Sequence, residues 1–225
     1  MHLSSTASWR RHAALVLAAS GAIAGALPGG PWIWLHYLCK PLATVMILLL
    51  ALRAAPVHSP RYRAMVVVGV ALSLVGDVFL MLPRDLFVPG LVSFLMAHLC
   101  FSVAFFPGAR WTARMAAVAA YGAIGVVNVQ FLLPEIPKSL HVPVLAYVLV
   151  LVVMAGLAAA RAWTLGQDAA LARPAALAAW GGVLFVASDS LLAWDRFHGG
   201  VPLAALLVLA TYYGALWCIA RSVEG

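Results

Sequence analysis

The chain has 225 residues, of which 65% are hydrophobic and only 9% charged, with a mean hydropathy of +1.02. Soluble domains carry roughly 25% charged residues, so these values exclude a soluble domain and point to an all-α integral membrane protein. The net charge of +7 does not signal nucleic acid, because the basic residues are scattered in pairs at helix ends, a pattern suited to the positive-inside rule and to membrane lipids with anionic headgroups.

A hydrocarbon core of roughly 30 Å takes about 20 apolar residues per helix. Pro/Gly clusters and charged pairs divide the chain into eight such segments, expected at about 12–27, 33–54, 62–82, 87–106, 112–133, 140–161, 174–194 and 200–221. The first has Arg10 and Arg11, an apolar run and small residues before Pro28, which also suits a secretory signal; the span directly after it favours a retained helix. The second segment carries His36, Lys40 and Thr44 on one stripe, and the third carries Ser73 and Asp77 on another. Ser93 and His98 lie on the fourth, Tyr121 and Asn128 on the fifth, Ser188 and Asp189 on the seventh, and Tyr212 and Tyr213 on the eighth.

The connections are short, so neighbouring helices are expected to be antiparallel in one transmembrane domain over residues 1–225. Arginines 10, 11, 53, 61, 63, 110, 114, 161, 173 and 221 fall at one set of ends; only Arg84, Lys138 and Arg196 fall at the other. That bias predicts both termini in the cytoplasm. Cys39, Cys100 and Cys218 have no paired spacing and read as small buried hydrophobes.

Five of the seven acids sit in connections or at the terminus, while Asp77 and Asp189 lie inside apolar runs. A carboxylate at the centre of a spanning helix costs roughly 2.5–3.5 kcal/mol on the lenient insertion scale. Counted from the outer helix ends, Lys40, Asp77, Ser93, Asn128 and Asp189 all fall about five to seven residues inside, and His98 near mid-membrane. This common layer predicts a polar cavity below the outer headgroups, with Tyr212 and Tyr213 as its floor. Segments three and seven also share a pattern, GDVFLMLPRDLF (76–87) and SDSLLAWDRF (188–197), with the two aspartates 112 residues apart. Both run in the same direction, as in a parallel repeat of four plus four helices.

Plainer readings stand beside these. Lys40 with either aspartate makes a structural ion pair, Asn128 an interhelical clamp, and Ser73, Ser93 and Ser188 bonds back to their own helices. His98 alone reads as a satisfied interior histidine. Two deep carboxylates against one deep lysine leave one carboxyl over, and a carboxyl buried without a countercharge keeps its proton at neutral pH. No zinc-ligand spacing, nucleophile elbow, phosphate loop or dinucleotide fingerprint occurs, so no metal and no cofactor are expected.

The ordered blocks CKPL (39–42), LVGDVFLM (74–81), PGLVSFLMAHLCF (89–101), LFVASDSLLAWDRF (184–197) and TYY (211–213) resemble the YhhN-type lysoplasmalogenase family. Cys100 and Leu216 depart from its pattern, where an aromatic and a glutamine are usual. The resemblance implies eight transmembrane helices, and the richness in Ala, Arg and Val suggests a bacterial source, hence a bacterial inner membrane. It also implies hydrolysis of the vinyl-ether bond of lysoplasmalogens, a lysophospholipid substrate, to a fatty aldehyde and glycerophosphocholine or glycerophosphoethanolamine. It directs attention to Lys40, Asp77, Ser93, His98, Ser188, Asp189 and Tyr212. The chemistry would use Asp77 and Asp189 as an acid/base pair, with Lys40, Ser93, His98 and Asn128 holding phosphate, water or glycerol. A small transporter, or a lipid-binding member without activity, are the alternatives.

Overall fold

Eight α-helices joined by short turns account for nearly all of the described residues, with no strand among them. The computed structural model describes residues 3–27, 31–57 and 59–224. The helices are α1 (Leu3–Ala26), α2 (Ile33–Arg53), α3 (Pro60–Met81), α4 (Phe87–Phe105), α5 (Trp111–Leu132), α6 (His141–Leu165), α7 (Ala172–Ala193) and α8 (Ala204–Arg221). Among the described residues seven of them, α2 to α8, are long and apolar enough to cross a membrane. The apolar part of α1 is only Arg11–Ala26, short of the roughly 20 residues a span needs, so eight helices are present as expected but only seven of them are of spanning length.

Local chemistry explains the boundaries. Ser59 caps α3 by accepting from the Tyr62 amide at 3.1 Å, and Pro60 follows at the first helical position, where its missing N–H is no loss. Helix α5 gives way to two 3₁₀ turns, Leu133–Glu135 and Lys138–Leu140, around Pro134 and Pro137. Helix α6 runs on to Leu165, four residues past the expected end at Arg161. That arginine is buried inside the helix and donates to the Pro107 carbonyl at 2.6 Å, so it is not a chain terminator. Helix α8 starts four residues late because Gly199, Gly200 and Leu203 all take positive φ.

Helices adjacent in the chain pack as α1–α2, α2–α3, α3–α4, α5–α6, α6–α7 and α7–α8, and the bundle closes through α4–α6, α2–α8 and α1–α8. The fully buried Phe101, Phe105 and Phe185 lie at its centre with Ile47, Val66, Met154 and Ile219. The Phe101 ring lies against α3 at Gly69, where a Cβ would come within 2.3 Å of it. In lipid, close approach of this kind replaces the hydrophobic effect as the source of helix adhesion.

Candidate active site

A cavity of about 620 Å³ opens among α2 to α8, at the end of the bundle carrying the 82–87 and 195–197 connections. Its volume falls in the range of roughly 300–1,000 Å³ usual for small-molecule sites. Asp77 and Asp189 both line it.

Asp77 is 1% exposed and surrounded by donors. The Thr44 hydroxyl and the Tyr212 hydroxyl each donate to its Oδ2 at 2.7 Å, and Lys40 Nζ lies 3.6 Å from Oδ1. Thr44 and Lys40 reach it together because they are one turn apart on α2. Pro41 stands between them, in the helix interior. On the other flank, the Phe94 ring covers Gly76, where a Cβ would approach it to 2.6 Å, and meets Tyr212 edge-on at 5.8 Å. The small residue beside Asp77 therefore admits an aromatic wall.

Asp189 has a different set. Tyr147 of α6 donates its hydroxyl to Oδ2 at 2.7 Å, and His98 Nε2 lies 2.9 Å from the Tyr147 oxygen and 3.4 Å from the same Oδ2. The Asp189 side chain is 14% exposed, against 2% for Asp77. Among the described residues its Oδ1 receives no hydrogen bond. The two clusters are separated by the buried Phe185 ring, which contacts His98 at 4.9 Å and Tyr212 at 5.9 Å.

The remaining expected residues divide. Ser188 lines the cavity but donates across to the Val208 carbonyl of α8 at 3.1 Å, rather than back along its own helix. Asn128 lines the cavity as an interhelical clamp: it accepts from Trp194 Nε1 at 3.1 Å and donates to the Ile124 carbonyl at 3.0 Å. His36 lines it too, and its Nδ1 lies 3.0 Å from the Ala22 carbonyl of α1. Ser93 is not in the wall. It donates to Pro89 O at 2.9 Å, on the flank of α4 beside the exposed Val92, while Phe94, Ala97, His98 and Phe101 take the buried face. Tyr213 is likewise not the floor, since its hydroxyl is turned to the Lys40 carbonyl at 3.5 Å, the limit of a hydrogen bond. Tyr121 does not join Asn128 in the wall, and Ser73 bonds back to the Gly69 carbonyl at 3.0 Å.

Tyr147 is the residue that sequence reasoning missed. It lies six residues inside α6 from His141, alone in the apolar run VPVLAYVLVLVV (142–153). The depth count that selects Asp77 and Asp189 also selects it. Among the described residues no group of three or more His, Cys, Asp or Glu side chains is placed to hold a metal ion.

Fold and site together define a polytopic, all-helical membrane protein with a two-carboxylate cavity near one face. The sequence model of the YhhN family matches residues 35–223. Among curated proteins, the chain is 31% identical to "Lysoplasmalogenase TMEM86B" of Sus scrofa over 198 residues, covering 86% of this chain and 76% of the relative. It is 34% identical to "Lysoplasmalogenase" of Mycobacterium tuberculosis over 202 residues, covering 86% and 73%. The rat "Lysoplasmalogenase TMEM86B" is 32% identical, with 82% and 70% covered. No solved structure matches the chain. The chain belongs to the YhhN family.

Proposed function

We propose that this protein is a lysoplasmalogenase, the activity its curated relatives are named for. On this reading it hydrolyses the vinyl-ether bond of 1-alkenyl-glycerophosphocholine or -ethanolamine to a fatty aldehyde and the glycerophospho-alcohol, without metal or cofactor. It works in a bacterial inner membrane with both termini cytoplasmic. The observation that carries the mechanism is the inequality of two carboxyls in one cavity. Asp77 faces an ammonium and two hydroxyl donors, so it is the group held as an anion. Asp189 has one oxygen held by Tyr147 and the other left to face the cavity, so it is the acid.

Vinyl ethers hydrolyse through protonation of the β-carbon. In the proposed sequence Asp189 gives its proton to that carbon, and the π electrons of the double bond form the new C–H bond. The resulting oxocarbenium ion is stabilised by the Asp77 carboxylate, in the way two carboxyls divide labour in glycoside hydrolysis. Asp189, now ionised, takes a proton from the water that attacks the cationic carbon. The hemiacetal then collapses, its hydroxyl proton passing to the departing glycerol oxygen. One water is consumed, and Asp189 ends protonated as it began. Lys40 is engaged by Asp77, so its part is to keep that carboxylate ionised rather than to bind phosphate.

Detergent-purified protein incubated with a lysoplasmalogen is expected to release free aldehyde with no membrane gradient. Asp189→Asn should lower kcat by about 100- to 10,000-fold, the usual contribution of a general acid. Asp77→Asn should lower it by about 100-fold through lost electrostatic stabilisation. Folded Asp189→Asn protein that releases aldehyde at the native rate ends this reading. Binding without turnover would make the chain a lipid-binding member, and neither would leave a transporter.

A further inference from the structure

His98 is 0% exposed, and Nδ1 of its ring meets no hydrogen-bond partner among the described residues. Its ring is enclosed by Phe185 at 4.9 Å, Tyr147 at 5.4 Å and Phe101 at 6.3 Å. Tyr147, 7% exposed, has one hydroxyl proton, and that proton is directed to Asp189 Oδ2 at 2.7 Å. The contact between the Tyr147 oxygen and His98 Nε2 at 2.9 Å must therefore be donated by the imidazole. A charged imidazolium would bury a second N–H at Nδ1 with no acceptor, which is the costly arrangement. A neutral ring protonated on Nε2 leaves only a lone pair unmatched. The donors then run one way, from His98 Nε2–H to the Tyr147 hydroxyl and from that hydroxyl to Asp189 Oδ2.

We propose that His98 and Tyr147 are positioning residues for Asp189: a one-directional hydrogen-bond chain that occupies Oδ2, fixes the carboxyl plane and keeps the catalytic proton on Oδ1, toward the cavity. This rests on the reading of Asp189 as the acid. The chain crosses three helices, α4 to α6 to α7, so it also ties the orientation of the acid to the packing of the central bundle. Both oxygens of Asp77 already face donors, and no equivalent open oxygen exists there among the described residues.

The test uses full-length protein in detergent. His98→Gln keeps an N–H donor near the Nε2 position, His98→Leu keeps volume without a donor, and Tyr147→Phe removes one hydroxyl. His98→Leu and Tyr147→Phe are expected to lose on the order of 100-fold in kcat, the cost of a misplaced reacting group, with KM within about twofold. His98→Gln should recover at least about a third of native kcat. A packing role would instead make Leu and Gln equivalent. A second measurement is independent of turnover: the ¹⁵N imidazole spectrum, with the His98 signal assigned by its loss in His98→Gln. It should show the neutral Nε2–H tautomer at neutral pH. Native kcat in Tyr147→Phe, equal rates in the two His98 variants, or an Nδ1–H or charged His98 overturns the proposal. Those results leave the hydrolase reading standing if Asp189→Asn is inactive, whereas a wild-type protein that makes no aldehyde overturns the hydrolase reading itself.

Discussion

At Asp77, the ion pair with Lys40 that reads as a plain structural feature is present, with side-chain exposures of 2% and 9%. Removing one partner of a buried pair leaves an uncompensated charge, at a cost of about 3–5 kcal/mol, while removing both together is far milder. Lys40→Met is therefore expected to lower thermal stability sharply, and Lys40→Met with Asp77→Asn to restore most of it, measured by unfolding in one detergent. The exposed Asp85–Arg196 pair, with side-chain exposures of 71% and 44%, is a control. Exposed pairs are worth about 0–1 kcal/mol, so Asp85→Asn should change little. If Lys40→Met unfolds with the wild type, the pair is not what keeps Asp77 charged. Much of this cluster is legible in the sequence, because a lysine, two aspartates and a tyrosine in apolar runs at one depth have few other reasons to be there. Tyr147 is harder to find, and the bond of Thr44 to Asp77 is harder to foresee, although Thr44 shares the Lys40 stripe. A tyrosine near a helix end resembles an interfacial anchor, and a threonine hydroxyl ordinarily satisfies itself on its own helix; only the three-dimensional placement separates these roles.

Helix α5 is held mainly along one seam, against α6, with its C-terminal end tied by the hydrogen bond between Asn128 and Trp194. The seam closes at Gly156, where a Cβ would fall 2.7 Å from Val118 Cα and 2.9 Å from Val118 N. Backbone cannot swing aside as a side chain can, so Gly156→Ala must push the two helices apart. Overpacking of this kind costs about 1–3 kcal/mol. A Cβ at Gly122 on α5 would meet nothing within 4 Å, and Gly122→Ala is expected to be neutral or to gain up to about 1 kcal/mol of helix propensity. Thermal unfolding of the two variants side by side checks the contrast; equal stabilities would show that the seam is loose. Helix existence was legible from hydropathy alone. The ends were not, where an arginine turned out to lie inside a helix (Arg161) or where backbone conformation delayed a start (Gly199 to Leu203).

Across the whole molecule the two carboxylate clusters follow one rule. Asp77 on α3 takes donors from α2 and α8; Asp189 on α7 takes one from Tyr147 of α6, which is backed in turn by His98 of α4. Shifting each helix by four turns the first set into the second, and the α2–α8 and α4–α6 contacts correspond in the same way. This supports the parallel four-plus-four repeat proposed from the two aspartate motifs, although the α1–α8 seam has no packed α5–α4 counterpart. A four-plus-four repeat would return the chain to its starting face, so it bears on the same question as the arginine bias, the side on which the cavity opens. The bias is ten basic residues against three, and the cavity end carries Arg84 and Arg196, which belong to the three. With both termini inside, as we propose, the cavity opens to the outer face. Two exposed loop residues test it in a cysteine-free background: Ser139 lies in the connection between α5 and α6, and Gln167 in that between α6 and α7. In intact bacterial cells a membrane-impermeant maleimide should label Ser139→Cys at once, and Gln167→Cys only after permeabilisation. The opposite pattern would put the cavity on the cytoplasmic side, and the lysophospholipid would then have to come from the inner leaflet.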